Sequence, residues 1–340
     1  MILQEAAMNP WSRRDFLRIS LGLTGFSLLS GCAALPIGPR RQARLPRVGY
    51  LGGGLDQERA EAFRQGLADH GYVEGRNIIV EWRNAEGQLD RLPGLAAELV
   101  GLPVDVLVAS GDIPTRLLRD ATGTIPIVMV VSASPVEAGF VVSLARPGGN
   151  VTGLTTVGRE LDRKRLELLK ETVPGLARVG MLWNPDVADR EGDFQVVEEA
   201  ARALGLDVRS FEVRDHGALE AAFERAAAER VDGLFLIDNS VLTANWPRVV
   251  EVARRHRLPT SSAQRAFVSA GGLLAYGADR GAVYRRAAGF VDRVLKGASP
   301  AEMPIERPTA FELAINLGTA RELGLTIPQS VLQQATETVQ

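Results

Sequence analysis

The chain has a single cysteine, Cys32, so no disulfide can form within it. Its three histidines, His70, His216 and His256, stand far apart, and none has a second ligand at metal spacing, which argues against a zinc or iron site. Positive charge is not in excess. The 39 Lys and Arg face 41 Asp and Glu, a formal net charge of -2, so no basic surface for nucleic acid is expected and no acidic tail is present. Long like-charge runs and low-complexity tracts are missing too. The known catalytic signatures are equally scarce. There is no G-x-S-x-G elbow and no phosphate-binding loop, and "GYLGGGLD" clusters glycines without the G-x-G-x-x-G spacing. Glu81, at the end of the second predicted strand, is the one residue placed where a nucleotide enzyme holds its ribose-binding acid.

What is there begins with an export signal. Arg13 and Arg14 precede a mildly apolar stretch, Leu17 to Leu29, broken by Gly22 and Gly25. At roughly a dozen residues it is short for a membrane span, which needs about twenty. "SRRDFL" resembles the twin-arginine export motif at Ser12, Arg13, Arg14, Phe16 and Leu17, and Met8 is a possible alternative start. "LSGC", Leu29 to Cys32, resembles a bacterial lipobox, in which small residues let the peptidase approach the backbone and the cysteine carries lipid. The reading is a signal peptide over 1–31 and a lipidated tether over 32–45, rich in Pro and Arg. With Cys32 lipidated, the exported domain has no free thiol and thiol catalysis is excluded. Removal of Arg13, Arg14, Arg18, Glu5 and Asp15 with the signal leaves that domain close to neutral.

The folded part alternates strand and helix. "RVGYLGG" (47–53) is an apolar run ending in glycines. A helix follows over 57–70 with Ala60, Phe63 and Leu67 on one face, and then strands at "NIIVEWR", "VDVLVAS" and "IPIVMVVS" with helices between them. This order implies a parallel sheet covered on both faces. The plan then restarts. "RVGMLWN" (178–184) echoes "RVGYLGG", and "VDGLFLIDN" (231–239) echoes "VDVLVASGD", at a nearly constant offset of about 130 residues. The expected fold class is α/β: two Rossmann-like lobes with parallel sheets joined by a multi-strand hinge. Lobe 1 is expected over 46–150, completed by the C-terminal segment at about 280–340, and lobe 2 over 151–279. "ARPGGNVTGLTTV" (145–157) is the expected hinge crossover, because Pro147, Gly148, Gly149 and Gly153 bar a continuous helix.

Ligands in such sheets sit outside the carboxyl ends of the strands, where helix N-termini point amides into the crevice. The stretches to watch are "GGGLD" with Gly53, "SGDIPT", "SASP", "WNPD", "DNS" and "YGAD". Ser110, Gly111 and Thr115 form a strand-to-helix turn suited to a carboxylate, or merely cap the helix. Ser132 and Ser134 face the crevice if the fourth strand ends at that point. Asp238 follows five apolar residues and either accepts from a ligand amine or caps the next helix, with Asn239 beside it. Trp183 is a ligand platform or core packing, with Asn184 next to it; Tyr276 stacks on a ligand or holds the hinge.

Over about 47–340 the chain resembles the bacterial ABC-transporter substrate-binding proteins of the tryptophan/tyrosine-type uptake systems, which are type I periplasmic binding proteins. The resemblance rests on "GLADHGYVEGRNIIVEWRNAEG", "SPVEAGFVVSLARPGGNVTGLTT", "LDRKRLELLKETVPGLARVGMLWNP", "GGLLAYGAD" with "YRRAAGFVDRVLKGASPAEMPIERPT", and "FELAINLGTARELGLTIPQSVL". It implies a monomeric receptor without catalysis or cofactor. Such a receptor is anchored by lipid on Cys32 at the periplasmic face of a bacterial membrane and delivers a small ligand to the permease and ATPase subunits of an importer. The family commonly has Asp-Pro where this chain has Ser134-Pro135, which weakens an amino-acid assignment and leaves Asp238 as the candidate to meet a ligand ammonium, with other small acids and nucleosides open as ligands. Two alternative expectations are an exported nucleotide-dependent α/β enzyme and a ligand sensor for a signalling partner.

Overall fold

The computed structural model describes residues 44–340 apart from 55–56, 187–189 and 216. Arg13, Arg14, Cys32 and His216 therefore lie outside the described residues, as do the signal peptide and nearly all of the tether. Leu45–Gln340 forms one unit. Its first sheet has five strands in the order β2-β1-β3-β4-β5: β1 (Arg47–Gly52), β2 (Ile79–Asn84), β3 (Val106–Ser110), β4 (Ile127–Ser132) and β5 (Val151–Thr155), all parallel. The period-2 pleat sends alternate residues to opposite faces. Val48, Tyr50, Val106, Val108, Val128 and Val130 pack with Phe63 and Leu67 of helix α1 (Gln57–Asp69). Leu51, Leu107, Ala109, Ile127 and Met129 pack on the other side with α2 (Leu92–Gly101) and α3 (Asp112–Ala121). Both faces of the central strands are buried, which is why β1, β3 and β4 read as near-continuous apolar runs.

The second sheet contains β6 (Arg178–Trp183), β7 (Asp207–Glu212), β8 (Gly233–Leu236), β9 (Thr260–Ser262) and β10 (Leu274–Ala278) in the order β7-β6-β8-β9-β10, the first sheet's order repeated. Around it lie α4 (Gly158–Thr172), α5 (Arg190–Ala203), α6 (Ala218–Ala228), the short α7 (Ser240–Thr243), α8 (Trp246–Arg255) and the short α9 (Arg265–Ser269). One glycine marks the duplication. A Cβ on Gly49 of β1 would lie 2.8 Å from Leu107 Cδ2, and one on Gly180 of β6 would lie 2.7 Å from Leu234 Cδ2. Leu107 and Leu234 are the register partners of those glycines, so each copy keeps the same small residue under the same leucine.

The chain leaves each sheet after its fifth strand and gives the next helix to the other lobe. From β5 it passes through Thr156 and Val157 into α4, which packs on the second sheet. From β10 it passes through Asp279 into α10 (Arg280–Leu295), which packs on α1, β4 and β5 of the first. Asp279 caps α10 by accepting from the Ala282 amide at 2.9 Å. A third crossing runs from a 3-10 turn at Pro300–Glu302, past Glu306 paired with Leu154, to β11 (Phe311–Asn316).

This path corrects three expectations. Residues 151–155 form β5 of lobe 1, so the first crossing occupies only the end of the predicted hinge stretch. The C-terminal segment is divided: α10 completes lobe 1, whereas β11, α11 (Leu317–Leu323), α12 (Gln329–Leu332) and β12 (Glu337–Val339) belong to lobe 2. And the second sheet is not wholly parallel, since β11 runs antiparallel to β10. The physical reason is edge protection: β10 would end the second sheet with unpaired backbone groups, and β11 covers them.

Candidate functional site

Between the lobes lies a cavity of about 650 Å³. The carboxyl ends of the first-lobe strands supply Gly53, Asn84, Ser110, Gly111 and Val131, and those of the second supply Ile237, Asp238, Asn239 and Gln264. The crossings add Thr156, Gly158, Arg280 and Tyr284, and helices reaching in from either side add Arg59, Asp162, Arg165 and Trp246.

The polar groups are arranged by their neighbours. Gly111, at φ 99° before α3, provides a backbone bend that a side chain would strain, and its carbonyl accepts from the Thr115 hydroxyl at 2.7 Å. Ser110 shares a short hydrogen bond with the hydroxyl of Tyr284. Beneath them Tyr50 is fully buried against Trp82, 4.8 Å between ring centroids; burial, and then the neighbouring Tyr284, push its phenol well above the ordinary value. Opposite, Asp238 Oδ1 accepts from Ser262 Oγ at 3.0 Å, and its buried Oδ2 has no hydrogen-bond partner among the described residues. Asn239 caps α7, its Oδ1 accepting from the amides of Val241 and Leu242. Arg165 pairs with Asp162 in a buried contact and lies over the ring of Phe235, 4.7 Å from its centroid. Arg280 makes no hydrogen bond or ion pair with the described residues. Its burial and the nearby positive Arg59 hold its guanidinium below the ordinary value, while Asp238 opposes that shift. The cavity thus presents an acceptor for a cation at Asp238 and a donor for an anion at Arg280, between apolar walls that include Leu89, Leu92, Ile113, Pro114 and Trp246.

Of the residues singled out from the sequence, Gly53, Ser110, Gly111, Asp238 and Asn239 come together on this cavity. The others do not line it. Thr115 is buried beneath α3's first turn. Ser132 is buried, with its carbonyl accepting from Thr155 Oγ1 at 2.9 Å. Ser134 opens a turn in which its carbonyl accepts from Ala138. Trp183 is core: it stacks on Phe194 and donates from Nε1 to Ser210 Oγ at 2.7 Å. Asn184 forms a local turn with Asp186 and donates to the Arg214 carbonyl. Tyr276 stacks on Phe311 at the β10–β11 pairing. Glu81 lies inside β2 rather than at its end and pairs with Arg47, so Asn84 takes the strand-end position.

Sequence reasoning missed Arg59, Arg165, Gln264, Arg280 and Tyr284. Arg280 directly follows the "YGAD" stretch, and Arg59 lies in the first turn of the helix after "GGGLD". A charged residue in the first turn of a helix that follows a strand's carboxyl end was the usable signal.

Two duplicated α/β lobes, crossed three times and open to a solute-sized cavity at their strand ends, define the two-lobed class of solute-binding proteins with the type I periplasmic binding fold. The chain belongs to the family described as ABC transporter substrate binding protein, whose profile matches residues 52–339. A curated relative, a tyrosine-binding protein of Clostridioides difficile (strain R20291), is 27% identical over 265 residues, 78% of this chain and 76% of its own. Among solved structures, an ABC domain from Streptococcus pneumoniae in complex with L-Trp is 25% identical, with a TM-score of 0.81 over 87% of this chain and all of that one. A conserved domain protein of Vibrio cholerae O1 biovar El Tor is 29% identical, with a TM-score of 0.79 over 86% of this chain and 99% of its own. This chain is a solute receptor of an ABC system.

Proposed function

We propose that this receptor binds the zwitterionic head of an amino acid and hands it to an ABC importer without altering it. The observation that carries the reading is that one cavity is lined both by Asp238, whose buried Oδ2 has no hydrogen-bond partner among the described residues, and by the guanidinium of Arg280. A buried carboxylate oxygen with no donor is costly, and an ammonium group satisfies it; a carboxylate does the same for the arginine. The apolar wall with Trp246 suits a large side chain, and relatives are recorded with tyrosine or tryptophan. Closure of the lobes follows as a population shift, because a ligand that touches both lobes favours the state in which both are within reach.

The receptor acts outside the cytoplasm, carried there by the signal at Arg13 and Arg14 and held by lipid on Cys32, next to its permease and ATPase partners. Mass spectrometry of ligand carried through purification, followed by calorimetry with L-tyrosine and L-tryptophan, tests the reading. Asp238→Ala is expected to weaken binding at least about tenfold, or ~1.4 kcal/mol. Unchanged affinity removes Asp238 from the site, and binding only of solutes without an amino group overturns the assignment.

A further inference from the structure

A three-residue turn in the second lobe touches the ligand-facing carboxylate, a crossing strand and the opposite lobe at once. Ser262 ends β9 and is fully buried. Its hydroxyl donates to Asp238 Oδ1 at 3.0 Å and accepts from the backbone amide of Gln264 at 3.2 Å, so both of its roles are occupied. Between them, the carbonyl of Ala263 lies where a Cβ on Gly277 would come within 2.1 Å of it, so the turn rests directly on the strand that leads to Arg280. Gln264, only 4% exposed, then accepts through Oε1 from Arg59 Nη2 of lobe 1 at 2.8 Å. The next residue, Arg265, pairs with Glu58, the neighbour of Arg59 on α1. Donor and acceptor are thus exchanged in both directions across the cleft, which fixes how α1 and the turn meet.

We propose that Gln264 is a positioning residue that couples engagement of Asp238 to closure of the lobes, with Ser262 as the link and Arg59 as the receiving group. A cation on Asp238 Oδ2 holds the carboxylate still. The carboxylate holds Ser262, and Ser262 holds the Gln264 backbone where its side chain meets Arg59. An Arg59–Gln264 bond exists only when the lobes are together, so each end stabilises the other. The coupling rests on the reading of Asp238 as the ammonium site, and its test separates the two.

The test uses the full chain, with calorimetry of L-tyrosine and small-angle scattering. Arg59→Ala and Gln264→Ala are each expected to raise the Kd for L-tyrosine about tenfold, and the double variant to stay near tenfold rather than reach a hundredfold. Additive losses overturn the coupling. Without added ligand, Arg59→Ala, Gln264→Ala and Ser262→Ala are expected to have a larger radius of gyration than the wild type, although the hydrogen bonds of the Ser262 hydroxyl are to residues of lobe 2. In an Arg59→Ala background, Ser262→Ala should open the molecule no further, which a merely structural role for Ser262 would not produce. Radii equal to the wild type, or further opening in that background, overturn it. Failure of the wild type to bind L-tyrosine removes the amino-acid reading alone, because the radii are compared without that ligand.

Discussion

At the scale of single residues, Glu312 at the start of β11 carries an unusual proton. Burial, then the nearby Asp279, raises its pKa from 4.5 to about 7, while Arg265, 3.9 Å away, pulls in the other direction, and Glu337 and Glu58 add further repulsion. Between about 4.5 and 7 the folded chain therefore holds a proton that the unfolded chain has released. Stability contributed by this group is full below the lower value and is lost as pH rises through the upper one. Denaturant melts at pH 5 and pH 8 should show a loss of stability in the wild type that is smaller in Glu312→Gln; equal losses in both would assign the pH effect to other groups. None of this was legible in "AFELAIN", because the acid's neighbours come from the β10–α10 crossing, α1, α9 and β12. Asp238 was legible, since five apolar residues before it placed it at a strand's end. Arg280 was not, because its role depends on where a crossing lands.

At the scale of elements, α1 and α10 of lobe 1 pack closely against each other. A Cβ on Gly66 would lie 2.1 Å from the Arg285 carbonyl and 2.8 Å from Ala288 Cβ, so the two helices meet backbone to backbone. Gly66→Ala must push them apart, and overpacking of this kind costs about 1–3 kcal/mol. Thermal or urea denaturation is expected to show that loss even though alanine favours helix, and a gain in stability would mean that the helices separate freely. Many helix and strand positions were readable from apolar periodicity, with ends displaced by a few residues, but β5 read as part of the hinge and α4, α8, β9 and β11 were not placed. The partner of each helix was not readable: α4 and α10 look like ordinary followers of β5 and β10, yet each packs on the other sheet. Periodicity reports that a face is buried, and only the path of the chain reports against what.

At the scale of the molecule, the duplication and the paired glycines at 49 and 180 were already visible as repeated words in the sequence, so the two-lobed plan was legible, although the order of strands within each sheet was not. The fate of the last thirty residues was not, because a strand's apolar pattern does not say which sheet edge it will cover. Removal of 311–340 is expected to damage the second lobe, not the first, by uncovering β10. Limited proteolysis should find cuts concentrated between β6 and β10; cuts confined to lobe 1 would contradict the strand assignment. Ligand binding should act on the whole: L-tyrosine at a hundred times its Kd is expected to add about 2.7 kcal/mol to the unfolding free energy. A melting temperature unmoved by L-tyrosine would count against that solute.

The reciprocal exchange of α4 and α10 also governs synthesis. As the chain emerges from the ribosome, five strands of the first half are made by Thr155, but the helix that seals their α1-side face ends only at Leu295. The second half waits longer still for its edge strands. Neither half is finished until nearly the entire polypeptide has been translated, so the two mature together late, and a nascent chain stalled midway exposes an apolar sheet that a chaperone has to shield.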